Sequence, residues 1–394
     1  MRHLNDRFRS RTYVGLLFIA TVLILSFSSV TEAEEFTAKN FLDRGVIQRK
    51  AQQYDQAIIE FNQSISIDPN YAEAYFNRGL AYYELKQYVQ AIADFNKAAT
   101  LEPKKLSIYY DRALAYGQLN QYEQALADYD QCITISPTNE LIYNARGNAY
   151  SHLNKYDQAI ADFDKTLTIA PNYYYAYNNR GTIYLKLKQY EKAILDFNNA
   201  IMLAPQDSMA YFKRGNTYVQ LNQYEQAISD YDKAITLSPQ FLEAYLNRAL
   251  TYDQLHQYEQ AIADCDKVIA INPQYADAYI EKGVAYVYLN RYEEAIAEYN
   301  KALVLNPQSA LAYYNRGQAY CVLKKYEQSI TDFDKAISLD PQYAKAYYMK
   351  GIALADLNRI SEAITAFRQS IQSTTDNDII QKASELIRRF GGTP

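Results

Sequence analysis

The side chains of this chain that could carry chemistry stand in columns. Arg44, Arg78, Arg112, Arg146, Arg180, Arg214, Arg248, Lys282, Arg316 and Lys350 recur at a fixed interval of 34 residues. Glu60, Asp94, Asp128, Asp162, Asp196, Asp230, Asp264, Glu298 and Asp332 recur at the same interval. Carboxylates set against bases are the raw material of general acid–base catalysis. A catalytic pair should break a repeat pattern, whereas these follow it. Histidine is scarce: His3 lies near the N-terminus, and His152 and His256 are isolated. No HExxH, GxSxG, Walker loop or nucleotide-binding glycine pattern occurs. Cys132, Cys265 and Cys321 form no CxxC pair, so neither a disulfide framework nor a metal site is expected. The chain reads as non-catalytic, with no cofactor and no metal.

What positions these columns is a repeated unit. Pro69, Pro103, Pro137, Pro171, Pro205, Pro239, Pro273, Pro307 and Pro341 lie 34 residues apart, and only Pro394 falls outside the series. With each proline at position 32, the units are 38–71, 72–105, 106–139, 140–173, 174–207, 208–241, 242–275, 276–309, 310–343 and 344–377. Apolar residues at positions 4, 8 and 11, and again at 17, 20, 24 and 27, predict two amphipathic helices per unit. Gly or Ala at position 8 and Ala at position 20 (Ser329 excepted) allow the two helices to approach closely, and aromatics at 4, 11, 17 and 24 fill the space around them. Asn120, Asn154, Asn222, Asn290 and Asn358 stand at position 15, where the left-handed conformation that ends a helix is expected. Acids such as Asp55, Glu123, Glu191 and Glu259 suit the positive end of the second helix. The proline pushes its predecessor out of the helical region and ends that helix. Cys132 and Cys265 fall at core positions and read as small buried hydrophobes.

These columns resemble the tetratricopeptide repeat family over about residues 36–375. The departures are Tyr instead of Trp at position 4, Arg or Lys instead of Leu at position 7, Gln48 at 11 in the first unit, and Leu354, Ile360 and Thr375 in the tenth. The resemblance implies an all-α, right-handed α-solenoid of antiparallel helical hairpins. After the tenth unit, Ile379, Ala383, Leu386 and Phe390 line one face of a further helix, so 378–394 reads as a C-terminal capping helix and tail.

The acids of the charged columns stop at Ala366 in the tenth unit. That pattern predicts pairing of each acid with the base of the next unit, Asp94 with Arg112 and Asp128 with Arg146, leaving Arg44 without an acid. Such partly exposed pairs are worth about 0–1 kcal/mol each and would fix register more than supply stability.

The resemblance further implies that the first helices line a concave groove, with positions 2, 5, 9, 12 and 13 toward a ligand. There Phe76, Tyr110, Phe212 and Tyr314 offer aromatic surface, while Asn144, Asn148, Asn178 and Asn216 make the groove polar in the fourth to sixth units. Asn amides can hydrogen-bond an extended peptide while aromatics take its side chains. Asn144, Asn148, Asn179 and Lys213 partly resemble the family's clamp for a C-terminal carboxylate, but Asn144 and Met209 stand where lysines are expected.

At the N-terminus, Arg2, Arg7, Arg9 and Arg11 precede an uncharged apolar run over 12–31, and Glu32, Glu34 and Glu35 follow. This is the pattern of an export signal or of a membrane anchor. Thr31-Glu32-Ala33 offers a weak cleavage site, so residues 1–33 are expected to be a signal peptide or a transmembrane anchor. The repeats would then be extracytoplasmic, membrane-anchored or secreted to the periplasm. Without the four Arg and two acids of residues 1–33, the remainder carries 36 basic and 43 acidic residues, a net −7. With no basic cluster, nucleic acid is not expected as a partner. The expected function is a protein–protein interaction scaffold that holds a peptide or protein segment and assembles a membrane or cell-envelope complex. The alternative is a regulatory or substrate-recruiting subunit of an enzyme system such as a glycosyltransferase or secretion apparatus.

Overall fold

The computed structural model describes residues 37–394, so the leader expected over 1–33 lies outside the described residues. Among the described residues the structure is an all-α repeat solenoid of twenty-one helices. Ten are first helices occupying positions 1–13 of their units, as in Ala72–Glu84, and ten are second helices starting at position 17, as in Tyr88–Leu101. The last, Asn377–Arg389, follows the tenth hairpin. No helix among the described residues is long and apolar enough to cross a membrane. The chain divides into two compact units, one ending at Ile183 and one beginning at Tyr184, inside the first helix of repeat five (Tyr174–Lys186).

The turn inside each hairpin is built the same way ten times. Gln52, Lys86, Asn120, Asn154, Lys188, Asn222, His256, Asn290, Lys324 and Asn358, all at position 15, have φ between 56° and 61°. Asn is thus the favoured but not the required residue at this left-handed site. Around Lys86 the amides of Lys86 and Gln87 donate to the carbonyls of Tyr83 and Tyr82, at 2.9 and 2.8 Å. This 5→2 and 6→1 pairing satisfies carbonyls that the helix end would leave orphaned. The second helix then starts with no side-chain cap at Gln87, Gln121 or Lys155. Acids in its first turn, Asp55, Glu123, Asp157 and Glu191, meet the helix dipole instead.

Close approach decides the small residue at position 8. A Cβ on Gly79 would lie 2.7 Å from the Phe95 ring, and one on Gly283 would lie 2.5 Å from Tyr299. The two columns therefore trade volume. Where position 8 is Ala249, position 24 is Cys265, which is fully buried. Repeat three departs from this, with Ala113 beside a buried Tyr129 whose ring stands edge-on to Tyr110. Cys132 is also buried, and its Sγ lies 3.7 Å from the Leu106 carbonyl, where Ser64 and Ser370 donate to the corresponding carbonyls at 2.7 and 2.8 Å. The last helix buries Ala383 and Ile387 against Phe367 and Leu354, with Leu386 and Phe390 partly buried beside them. It thereby covers apolar surface that the tenth hairpin would otherwise expose to water.

Candidate functional site

The charged columns are structural. The expected pairing between successive repeats, Asp94 with Arg112, is not what forms. Arg78 instead binds Asp94 of its own hairpin through two bonds, Nε to Oδ2 at 2.7 Å and Nη2 to Oδ1 at 2.6 Å. The same bidentate pair joins Arg112 to Asp128, Arg146 to Asp162, Arg214 to Asp230, Arg248 to Asp264 and Arg316 to Asp332. Arg44, expected to lack an acid, donates to Glu60 at 2.9 Å. The reason is geometric: Arg78 and Asp94 lie equally far along the chain from Lys86 at the turn, so the antiparallel helices bring them face to face. Repeats are stitched through another column, position 25. Arg78 reaches back to Asn62, Arg112 to Asn96 and Arg146 to Asp130, at 2.6 to 2.7 Å, and Arg248 reaches Asp232. Lys350, opposite Ala366, keeps only this backward contact, to Asp334 at 2.5 Å. Ala366 sits instead in the core that the last helix closes.

Each arginine also lies over aromatic rings of its own helix. Arg248 is 5.6 Å from the Tyr245 centroid and 5.9 Å from Tyr252. The bound Asp128 holds the Arg112 guanidinium above its ordinary pKa, against the opposing effect of burial. Burial pushes the carboxyls of Asp94, Asp230 and Asp264 up, and their arginines pull them down. Desolvation offsets much of the attraction, so the pairs specify register more than they add stability.

In the first unit, Phe76 packs against Phe95 with centroids 5.9 Å apart, and Tyr110 meets Tyr129 edge-on at 6.0 Å. Burial, then the neighbouring Tyr173, Asp111, Cys132 and Tyr83, raise the Tyr110 pKa. Asn144 is buried and accepts a hydrogen bond from Asn179 at 3.3 Å, a bond between successive first helices. Asn178 is buried on the same helix as Asn179, and its carbonyl accepts from the Thr182 hydroxyl at 2.7 Å. Asn148 is half-buried. Asp111, which the sequence reading did not single out, is desolvated and pushed up to about 6, with Arg49 pulling it down.

In the second unit, Phe212 stacks obliquely on Tyr231 and Phe241, with centroids at 5.9 and 4.8 Å. Burial lowers the Lys213 pKa, and Asp207 opposes it. The Asn216 side-chain oxygen accepts from the Tyr231 hydroxyl at 2.7 Å and from Asn247 at 2.8 Å. These groups line a cavity of about 470 Å³ between the first helices of repeats six and seven, with Val219, Gln220, Leu250, Thr251 and Gln254. Leu250 and Gln254 also line a cavity of about 270 Å³ between the first helices of repeats seven and eight, with Asp253, Glu281, His256, Val284, Tyr258 and Tyr288. Tyr314 lies further on, 4.9 Å from Tyr343, and both line a cavity of about 420 Å³ with Lys345, Asp376 and Ile379. Its hydroxyl accepts from Gln318 at 2.9 Å, and burial is the main cause that pushes its pKa up to about 12.

The structure thus brings Asn216 into a cavity, places Asp253 and Gln254 of the implied columns 12 and 13 beside the cavities, and adds two residues the sequence reading missed, Asn247 and Glu281. Asn247 and Glu281 stand at position 6, outside the columns implied to face a ligand. The available signal was variability, since that column reads Asp43, Asn77, Asp111, Ala145, Asn179, Lys213, Asn247, Glu281, Asn315 and Met349.

Comparison with known proteins places this architecture. A family model described as "Tetratricopeptide repeat" matches residues 72–105, 107–139, 141–173, 174–207, 242–275 and 310–343, just over half of the chain. A second, described as "TPR repeat", matches 45–86, 215–256 and 283–323, and a further tetratricopeptide model matches 333–365. No curated protein matches the chain. Among solved structures, the C-terminal part of a TPR repeat-containing protein from Cytophaga hutchinsonii is 21% identical with a TM-score of 0.52, over 61% of this chain and 98% of that one. YrrB, described as "a TPR protein with an unusual peptide-binding site", is 24% identical with a TM-score of 0.42, over 47% of this chain and 95% of its own. Yeast Tom70 is 15% identical with a TM-score of 0.46, over 89% and 96%. Proteins of this kind are generally non-catalytic interaction scaffolds. From the recurring hairpin, its ring-against-glycine contact and the matched models together, the chain belongs to the tetratricopeptide repeat family.

Proposed function

We propose that the first-helix face of repeats six to eight holds an extended segment of a partner protein, and that the chain is an exported or membrane-anchored scaffold for a cell-envelope complex. The observation that carries this reading is the pair of cavities sharing Leu250 and Gln254. Amides from Asn216, Gln220, Asn247 and Gln254 offer both donors and acceptors, which suits a peptide backbone that presents one of each per residue. Leu250 and Val284 give apolar surface between them. The basic flank, apolar run and acidic exit of residues 1–35 support the location.

A photo-crosslinking amino acid tests the face directly. Placed at Leu250, it should form an adduct with a protein partner in the native host. Placed at Val304, which is 81% exposed on a second helix, it should not. Equal adducts from both sites, or none from Leu250, would sink the assignment.

A further inference from the structure

We propose that the smaller cavity, between the first helices of repeats seven and eight, receives a lysine or arginine side chain of the bound segment. The proposal rests on the reading of the neighbouring amide cavity as the peptide site. Asp253 and Glu281 enter the cavity from successive first helices, and no lysine or arginine lines it. Nearby buried acids are treated differently: Asp264 is held by Arg248 at 2.6 Å, and Glu298 by Lys301 at 2.9 Å. Asp253 has no such partner, and its Oδ1 is buried without a hydrogen bond. A buried carboxylate oxygen without a donor is costly, and an arriving cation would relieve that cost.

Aromatic rings line the same cavity. Tyr258 and Tyr288 stack with centroids 4.9 Å apart and planes within 4° of parallel. Tyr288 is 60% exposed, and the ring face turned away from Tyr258 can take a cation. About 270 Å³ is room for one long side chain. Among the described residues no group of three or more His, Cys, Asp or Glu is placed to hold a metal ion. Two carboxylates beside aromatic surface suit an organic cation on a flexible stem.

The test is selection of a phage-displayed random dodecapeptide library on the full chain, beside the D253N/E281Q variant and the Y288A variant. The expected result is a consensus with Lys or Arg at one fixed position. D253N/E281Q should keep the rest of the consensus and lose that position. For a synthetic consensus peptide, changing the basic residue to Ala should weaken binding to the native protein by about tenfold or more, and binding to the double variant by little. Y288A, at an exposed ring, should give an intermediate loss, which keeps the test decisive if the double variant melts early. A consensus without a basic position overturns the inference and leaves the peptide reading standing. A basic position retained by D253N/E281Q does the same. Recovery of no consensus at all overturns both.

Discussion

Repeat seven buries carboxylates in two ways. On one side of its first helix, Arg248 grips Asp264 with two hydrogen bonds and reaches back to Asp232. On another, Asp253 lines a cavity with Glu281 and no cation is supplied. In the first case the charge is neutralised by the fold. In the second, burial raises Asp253 to about 6 and, together with Asp253 and Asp277, raises Glu281 to about 7. A carboxylate that the fold leaves uncompensated is one that a ligand can complete. Stability and recognition here use the same functional group and differ in who provides the counter-charge.

The largest test of this contrast removes the internal cation. R248M leaves Asp264 and Asp232 facing each other without a guanidinium and should cost about 3–5 kcal/mol in urea unfolding. The R248M/D264L double variant should recover most of that loss. If R248M costs no more than a surface substitution, the column is a set of independent solvated charges.

Next in size is the volume trade beside it. C265F against Ala249 should cost about 1–3 kcal/mol by overpacking, and A249G/C265F should recover part of it, because glycine faces the ring in the other repeats except the third, where Ala113 stands beside Tyr129. A double-mutant cycle by thermal melting measures the coupling. Strict additivity would separate the two columns.

The pH dependence comes third. Glu281 faces Asp253 and Asp277, with the Cys265 thiol and the Tyr299 hydroxyl near it. Its folded pKa lies above its ordinary value of 4.5, so the folded state disfavours the charged form. The penalty is absent below the unfolded pKa and is complete once pH exceeds about 7. Between pH 5 and pH 8 the native protein should lose about 1–3 kcal/mol relative to E281Q. Parallel stability profiles for the two proteins would contradict a desolvated Glu281.

The smallest effect should come from His256, which lines the cavity and carries the left-handed turn at φ 59°. H256N keeps a side chain that tolerates this conformation and should shift stability by about 0.5 kcal/mol or less. Any loss of peptide binding should be smaller than that of D253N/E281Q. A loss comparable to that of D253N/E281Q would move recognition from the carboxylates to the imidazole.

Much of this architecture was legible because each column answers one local demand. Gly79 predicts a ring at its back, and Phe95 is that ring. Asn120 predicts a left-handed turn residue, and the turn is there. The arginine partners were misread because the missing acid at Ala366 looked like an end effect of the array. It reflects packing under the last helix instead. The equal spacing of Arg78 and Asp94 from the turn already contained the correct pairing. The site was less legible for a different reason. Asn216 stands in a column that faces the groove, but Asn247 and Glu281 matter only through their neighbours on the next helix, and no single column states which side chains meet across it.

The backward reach of each arginine bears on how such a chain can change length. Arg146 contacts its own hairpin and Asp130 one unit earlier. Removing residues 106–139 as a block would bring Asn96 to the place of Asp130, an acceptor that Arg112 already uses in the same geometry. The joint never registers how many units stand behind it. A gene that loses or duplicates whole units keeps every seam intact, while a deletion one residue longer or shorter disrupts all the contacts at its junction. The deletion of 106–139 should therefore yield a shorter protein with unchanged helicity per residue, and a 33-residue deletion at the same place should not.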